Sequence, residues 1–426
     1  MNAPLDEEVY IKIPDGYPVK KGQENMVLRL LKSLYGLKQS PYAWNKELDT
    51  FLKSIGFRPT ESDRCIYIGR WERVTVYLLL YVDDIIIGAP NRQIMGSIKA
   101  KINSKFEIED NGPLTFFLNM HFIRDWNTKT MSSHQESKIM KVIGDSRYSS
   151  EDRLKLVKSS KIPLPTHLVL SKDLCPQNVQ DKEEMKKLPY KSILGQLLYI
   201  AITARPDIAT AVSVCGKFAD NPGKEHWQAL LQIVKYLQGT RTMRLKLGNA
   251  KQISLSACAD ADWAGDIDGR NSRTGYTISI GNSVIAWSSK LQTSVAQSST
   301  EAEYVALTEC ARTVIWCRTL LEEMGFPQHK PSVIAQDNRN TMTIATSYKQ
   351  HPGIKHIDIK HHFIRDRVLN IKDIELAKRP TQEMEADLLT KPLPYPAFSK
   401  LRNKLGLYID ESRGSVGISS LVLLWL

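Results

Sequence analysis

Cysteine is sparse in this chain, with six among 426 residues, at positions 65, 175, 215, 258, 310 and 317. None falls in a Cys-x-x-Cys pair, which argues against a zinc ribbon or a disulfide framework and for a reducing compartment. Long apolar runs are missing too. The best, residues 74–89, is too short for a good membrane span and carries Asp83 and Asp84 at its centre. The opening MNAPLDEEVY is acidic and lacks the apolar stretch of a secretory signal. Internal repeats and low-complexity linkers are absent as well. These absences predict a soluble intracellular protein, cytoplasmic or nuclear or both, with no membrane partner.

Acidic residues are outnumbered. Against 46 Asp and Glu stand 58 Lys and Arg, a formal charge of +12 with a pI near 9.2. Such an excess favours a polyanionic partner, nucleic acid before membrane, because basic side chains gain by releasing counterions from phosphates. The alternative is a basic surface that serves only solubility. Apolar content of 42% is ordinary for a globular chain, so the length predicts two or three cores rather than disorder.

Local patterning gives a coarse α/β map. Val74 to Leu80 and Ile85 to Gly88 are β-rich and bracket YVDD, a hairpin signature with carboxylates at its turn. Trp44, Leu48, Phe51, Leu52 and Ile55 have helical spacing, and Gly56 follows as a C-cap. Residues 132–160 are the least legible. A helical block runs from Tyr190 to Gly239, and from Ile253 the order is strand, strand, strand, long helix, strand, helix. A boundary is expected near residue 250. Two adjacent aspartates in an apolar run are costly without a partner, so Asp83 and Asp84 pose the question of what offsets them.

Six segments in fixed order answer it. LLKSLYGLKQSPYAW (30–44), LLLYVDDIIIG (78–88), TARPDIATAV (203–212), DADWAGD (260–266), SSTEAEYVAL (298–307) and KHIDIKHHFIRD (355–366) resemble copia-type retrotransposon Pol polyproteins, in their reverse transcriptase and ribonuclease H parts. The likeness runs from Leu5 to about Leu407 and weakens around 132–160. It implies an α/β (α+β) architecture: a partial reverse transcriptase palm and thumb-like region over 1–165, a helical connection over 166–250, a ribonuclease H-like domain over 251–393, and a tail over 394–426.

For the polymerase half, the resemblance implies that Asp83 and Asp84 hold divalent metal for phosphoryl transfer, the alternative being a water-exposed acidic turn. It places Gln39 near the incoming nucleotide, with Lys32 and Lys38 near phosphate. Tyr42 departs from the arginine that the family usually carries before AW. In the family, a strand bearing a third metal-binding aspartate precedes the segment that here reads MNAPLDEEVY. The chain is therefore expected to be truncated and to have lost RNA-directed DNA polymerisation.

For the nuclease half, the resemblance implies a five-stranded sheet with flanking helices and four carboxylates, Asp260, Glu303, Asp337 and Asp387. These would hold two magnesium ions, with manganese as an alternative, for cleavage of RNA in RNA·DNA hybrids. Helical spacing bears on one of them. Residues 303, 306, 307, 310 and 314 share a face on which Glu303 interrupts an apolar stripe, whereas Glu301 sides with Val305, Thr308 and Arg312. The competing reading makes Glu303 a helix cap paired with Thr300. Asp262 rivals Asp260, two residues on.

His351, His356, His361 and His362 match no ordinary zinc spacing. The resemblance instead gives His356 and His362 contact with the hybrid or support of the active site. Arg270, Arg273 and Lys290 are expected to face substrate phosphates, positioning the hybrid without reading its bases. Expected partners are the RNA·DNA hybrid, template-primer nucleic acid, and other Pol or Gag products. The functional alternatives are a non-catalytic transposon remnant that binds nucleic acid, or an incomplete stretch of an active reverse transcriptase.

Overall fold

A computed structural model describes residues 4–18, 22, 26–248, 250, 252–347 and 358–410, with 358–361 by backbone alone. His351, His356 and the tail beyond residue 410 lie outside the described residues. The fold is mixed α/β and divides into two compact units, residues 1–113 with 322–325, and the rest of the chain. No described helix is long and apolar enough to cross a membrane.

In the first unit, an antiparallel sheet runs in the order Phe57–Pro59, Ile66–Trp71, Val74–Tyr81, Asp84–Gly88. Period-two alternation in VTVYLLLY buries Val76, Leu78 and Leu80 on one face. Two helices share that core. Ser40–Ser54 contributes Leu48 and Leu52, and Gly56 follows it at φ +96°, a left-handed turn that only glycine adopts without strain. Arg92–Asn103 buries Ile94, Ile98 and Ile102 at i, i+4 and i+8, its N-terminus capped by Asn91, whose Oδ1 accepts from the Ile94 N–H at 2.9 Å. The YVDD hairpin forms as its sequence predicts, with Tyr81 paired to Asp84 across the turn.

The second unit holds two five-stranded sheets and a helical block. One sheet is antiparallel, in the order Leu407–Ile409, Met243–Gly248, Thr130–His134, Met120–Asp125, Phe116–Phe117. The other runs Ser283–Leu291, Arg273–Ile280, Leu255–Asp262, Ser332–Gln336, Ile374–Lys378. Its first three strands are antiparallel and its last two add in parallel, with the long helix Ser299–Glu323 before the first parallel strand. This is the five-stranded sheet with flanking helices that the resemblance implied. The helical block is Tyr190–Thr203, Ala209–Gly216 and Lys224–Gly239.

Within that block the TARPD segment makes a buried lock. Arg205 donates to both carboxylate oxygens of Asp207 at 2.9 and 2.8 Å, and to the Thr240 carbonyl at 2.9 Å. Tyr236 donates to the same carboxylate. The guanidinium and the carboxylate are both fully desolvated, so their pairing must be bidentate and complete to be tolerated.

The expected divisions at 165, 250 and 393 fall inside the second unit rather than at its edges. The physical reason is pairing across them: strands from 116–134, 243–248 and 407–409 complete one sheet, so residues 394–410 are a structural part and not a tail. Apolar residues of the 251–393 stretch, Val284, Leu388, Leu389 and Leu393, also belong to the core built by the helical block. Trp287 donates to the Ala201 carbonyl at 2.8 Å, and Thr210 to that of Leu388 at 2.7 Å.

A fragment of residues 114–410 should therefore unfold in one cooperative transition, whereas 251–393 alone should show none and should bind hydrophobic dye. Denaturant titration of both fragments checks this, and a cooperative transition in the shorter one would contradict it.

Candidate metal centre

Asp260 lies near the C-terminal end of the central strand Leu255–Asp262 and is 3% exposed. The parallel neighbour ends at Gln336, so Asp337 emerges beside it at the same edge of the sheet. The helix Ser299–Glu323 brings Glu303, its fifth residue and 7% exposed, to the same place. Ligand oxygens of Asp260, Glu303 and Asp337 all lie within 4.8 Å of one another. Asp387, on the short turn Glu385–Leu389, joins them through its carboxyl, which is hydrogen-bonded to that of Asp260. The structure thus brings together the four carboxylates that the resemblance had assigned.

Several neighbours hold the cluster in place. Thr390 donates from its hydroxyl to Asp260 Oδ2 at 2.7 Å, and Lys391 Nζ to Asp387 Oδ1 at 3.0 Å. Gln336 reaches Glu303 Oε2 at 3.4 Å while its Oε1 accepts the Asp337 N–H at 2.9 Å. Thr381 donates to Asp337 Oδ2 at 2.6 Å. Gly275 makes the approach of the 385–390 turn possible. It sits opposite Asp260 in register, and a Cβ there would lie 2.7 Å from Thr390 Cγ2 and 2.8 Å from the Ala386 carbonyl.

Sequence reasoning missed all five of these supports. Thr390 and Lys391 follow Asp387 by three and four residues, and Gly275 was a glycine inside a strand, a signal for close backbone approach. Gln336 and Thr381 carried no local signal.

Burial drives the electrostatics. Desolvation, then the Asp387 charge, pushes the Asp260 carboxyl up to about 7, with partial relief from Thr390 and Lys391. Glu303 is raised further still, by desolvation first and then by Asp260 and Asp337, against hydrogen bonds from the Ala261 N–H and Gln336. Desolvation also raises Asp262, opposed by Lys391 and Arg273. Such a cluster is short of positive charge.

The capping role proposed as the rival for Glu303 belongs to other residues. Ser298 Oγ accepts the Glu301 N–H at 3.2 Å, and Glu301 Oε2 accepts the Gln297 N–H at 2.8 Å. The expected polar side of this helix is corrected as well. Val305 and Thr308 are buried beside Glu301, because the helix is covered nearly all round in its first two turns.

Arg273 departs from its expected place. It is 8% exposed and donates to Ser213 Oγ, so it faces the protein interior rather than a phosphate. Arg270 and Lys290 are exposed, as is His362. In the first unit Asp83 and Asp84 are exposed at the hairpin turn, beside a bond from Trp44 Nε1 to the Val82 carbonyl at 2.9 Å. Gln39 is half-buried at the start of the Ser40–Ser54 helix, while Lys32 and Lys38 are exposed.

Comparison with known proteins decides the family. Residues 1–151 match the family described as reverse transcriptase (RNA-dependent DNA polymerase). The Pol polyprotein of transposon TNT 1-94 from Nicotiana tabacum is 39% identical over 96% of this chain, and that of transposon RE1 from Arabidopsis thaliana 34% identical over 96%. A putative transposon Ty5-1 protein of Saccharomyces cerevisiae is 30% identical over 72% of this chain and 96% of its own length. The chain belongs to the copia-type retrotransposon Pol polyproteins. This Pol segment spans 30% of the tobacco relative and 27% of the Arabidopsis one. Among solved structures, LC11-RNase H1 from compost aligns over 35% of this chain and 98% of its own, at 15% identity and a TM-score of 0.26.

The raised carboxyls fix a sign for pH dependence. Both Asp260 and Glu303 bind protons more tightly folded than unfolded, so their contribution to stability is full below the ordinary carboxyl range. The share of Asp260 is lost as pH rises through its folded value near 7, and that of Glu303, raised further, continues to be lost above it. In chelator, the melting temperature of the Pol segment should fall between about pH 5 and pH 8, and Glu303→Gln should flatten that fall. Differential scanning calorimetry across that range is the check, and a rise in melting temperature with pH would contradict the assignment.

Proposed function

We propose that this Pol segment cleaves the RNA strand of RNA·DNA hybrids in a reaction dependent on divalent cations, magnesium first and manganese as an alternative. The observation that carries the reading is the convergence of three carboxylates, two buried and one half-buried, whose ligand oxygens lie within 4.8 Å of one another. Hard oxygen donors crowded in this way fit a small hard cation. Asp260, Glu303, Asp337 and Asp387 would hold it. When bound, such ions supply positive charge to the attacking and leaving oxygens of an in-line displacement.

The chain's own residues supply order. Asp260 neighbours Glu303 and Asp337 as well as Asp387, and the hydrogen bond from Thr390 restrains its carboxylate. Gln336 and Thr381 hold Glu303 and Asp337 through single hydrogen bonds, so the donor set is preorganised before any ligand arrives. Exposed Arg270 and Lys290 suit contact with phosphates, which positions a hybrid without reading its sequence. His362 is exposed as well.

Polymerisation is a separate matter. Membership of the family brings a reverse transcriptase domain with Asp83 and Asp84 in place, and template-primer is the nucleic acid it would meet. Among the described residues, however, no third carboxylate, histidine or cysteine joins that pair in a ligand cluster. We therefore assign hybrid cleavage, and not primer extension, to these 426 residues taken as they stand.

Two experiments follow. Glu303→Gln should abolish magnesium-dependent hybrid cleavage and leave low-salt hybrid binding nearly intact. Glu301→Gln, which keeps an acceptor for the Gln297 N–H, should retain most activity and change stability by no more than about 0.5 kcal/mol. An active Glu303→Gln protein, or equal inactivation by both, would sink the assignment. The same purified chain should fail to extend a primer on an RNA template; incorporation that Asp84→Asn removes would overturn that expectation.

A further inference from the structure

The four carboxylates are not equivalent toward cations. Asp260, Glu303 and Asp337 converge, Lys378 Nζ donating to the Asp337 backbone carbonyl at 3.1 Å, and among the described residues none of these three carboxylates is in an ion pair. Asp387 already has one. Its Oδ1 accepts from Lys391 Nζ at 3.0 Å, and the same ammonium also feels the charges of Asp260 and Asp262. The arrangement is held by local geometry. Lys391 follows Asp387 by four residues, and the N–H groups of Thr390 and Lys391 both point to the Asp387 carbonyl, at 3.2 and 3.4 Å. Proline at 392 closes the turn behind it. The Asp387 side chain is 10% exposed and that of Lys391 39%, so the carboxylate is fixed whereas the ammonium has a route to solvent.

We propose that Lys391 is a built-in placeholder for the second divalent cation, a reading that rests on the proposed metal-dependent function of this site. Its ammonium offsets the Asp260–Asp387 repulsion in the ion-free protein and competes with a cation for that pair. One divalent ion therefore binds readily, through Asp260, Glu303 and Asp337. The second must displace Lys391, which swings outward when substrate phosphate offers the ammonium another anion. Lys391 is a positioning residue by this account. It keeps the second site closed until nucleic acid is present, which limits idle metal loading of the free protein.

Isothermal titration of the full chain with manganese alone, without nucleic acid, tests this. Wild type should bind one ion in the accessible range. Lys391→Met should expose a second binding step, or strengthen it about tenfold, because a unit charge at this separation no longer opposes the ion. Lys391→Arg should restore the wild-type isotherm. Ion-free Lys391→Met should also melt lower than wild type, and added magnesium should erase the difference. If Lys391→Met does not fold, Lys391→Gln removes the charge and keeps a donor to Asp387, and the same second step is expected of it. An isotherm unchanged from wild type in the uncharged variant that folds, or one weakened in both steps, overturns the placeholder. Glu303→Gln separates this failure from that of the parent reading: loss of the first step in that variant upholds the carboxylate site whatever Lys391 does.

Discussion

Burial of like charges around Asp260 is the constraint on which the second unit is built. A carboxylate that is 3% exposed and neighbours Glu303, Asp337 and Asp387 is unfavourable by itself. The fold answers with two oriented donors at its flank, Thr390 and Lys391, and with a glycine at 275 that admits the turn carrying them. Strand order serves the same end, since Asp260 and Asp337 can share an edge only if their strands are parallel neighbours. What remains uncompensated after these measures is a site whose chemistry calls for a cation.

The first unit shows the contrast. Its two adjacent aspartates stand at an exposed turn, where water screens them and no desolvation has to be offset. The question raised by their apolar flanks has a plain structural answer. Val74–Tyr81 and Asp84–Gly88 bury their apolar residues against the Ser40–Ser54 and Arg92–Asn103 helices, and the turn delivers the charges outside that core. The same residue type is thus inexpensive in one unit and costly in the other.

Elements with strong local periodicity were legible in the sequence: the YVDD hairpin, the 40–54 helix, the helical block from Tyr190, and the strand and helix order after Ile253. Glu303 was legible because it broke an apolar stripe. Other features depended on distant partners and left no local trace. The strands within 116–134 and 407–409 are short, and the distant 243–248 strand is what joins the two segments in one sheet. Arg273 looked like a phosphate contact because arginine is usually exposed; its burial against Ser213 is a tertiary fact. Val305 and Thr308 were read as a polar side because a one-sided stripe is the usual helix pattern, and this helix is covered on more than one side.

The sheet that joins Thr130–His134, Met243–Gly248 and Leu407–Ile409 sets an order of events during synthesis. Its edge strand is the last described strand of the chain, and it pairs with one made long before it. Until Ile409 leaves the ribosome, the Met243–Gly248 strand presents an open row of backbone donors and acceptors on that side. Contacts so far apart in sequence close slowly, and unpaired edges invite association with other chains. The carboxylate sheet has its own strands complete earlier, at Lys378. The interval between the two is a window of vulnerability to aggregation, written into the topology and independent of the chemistry at Asp260.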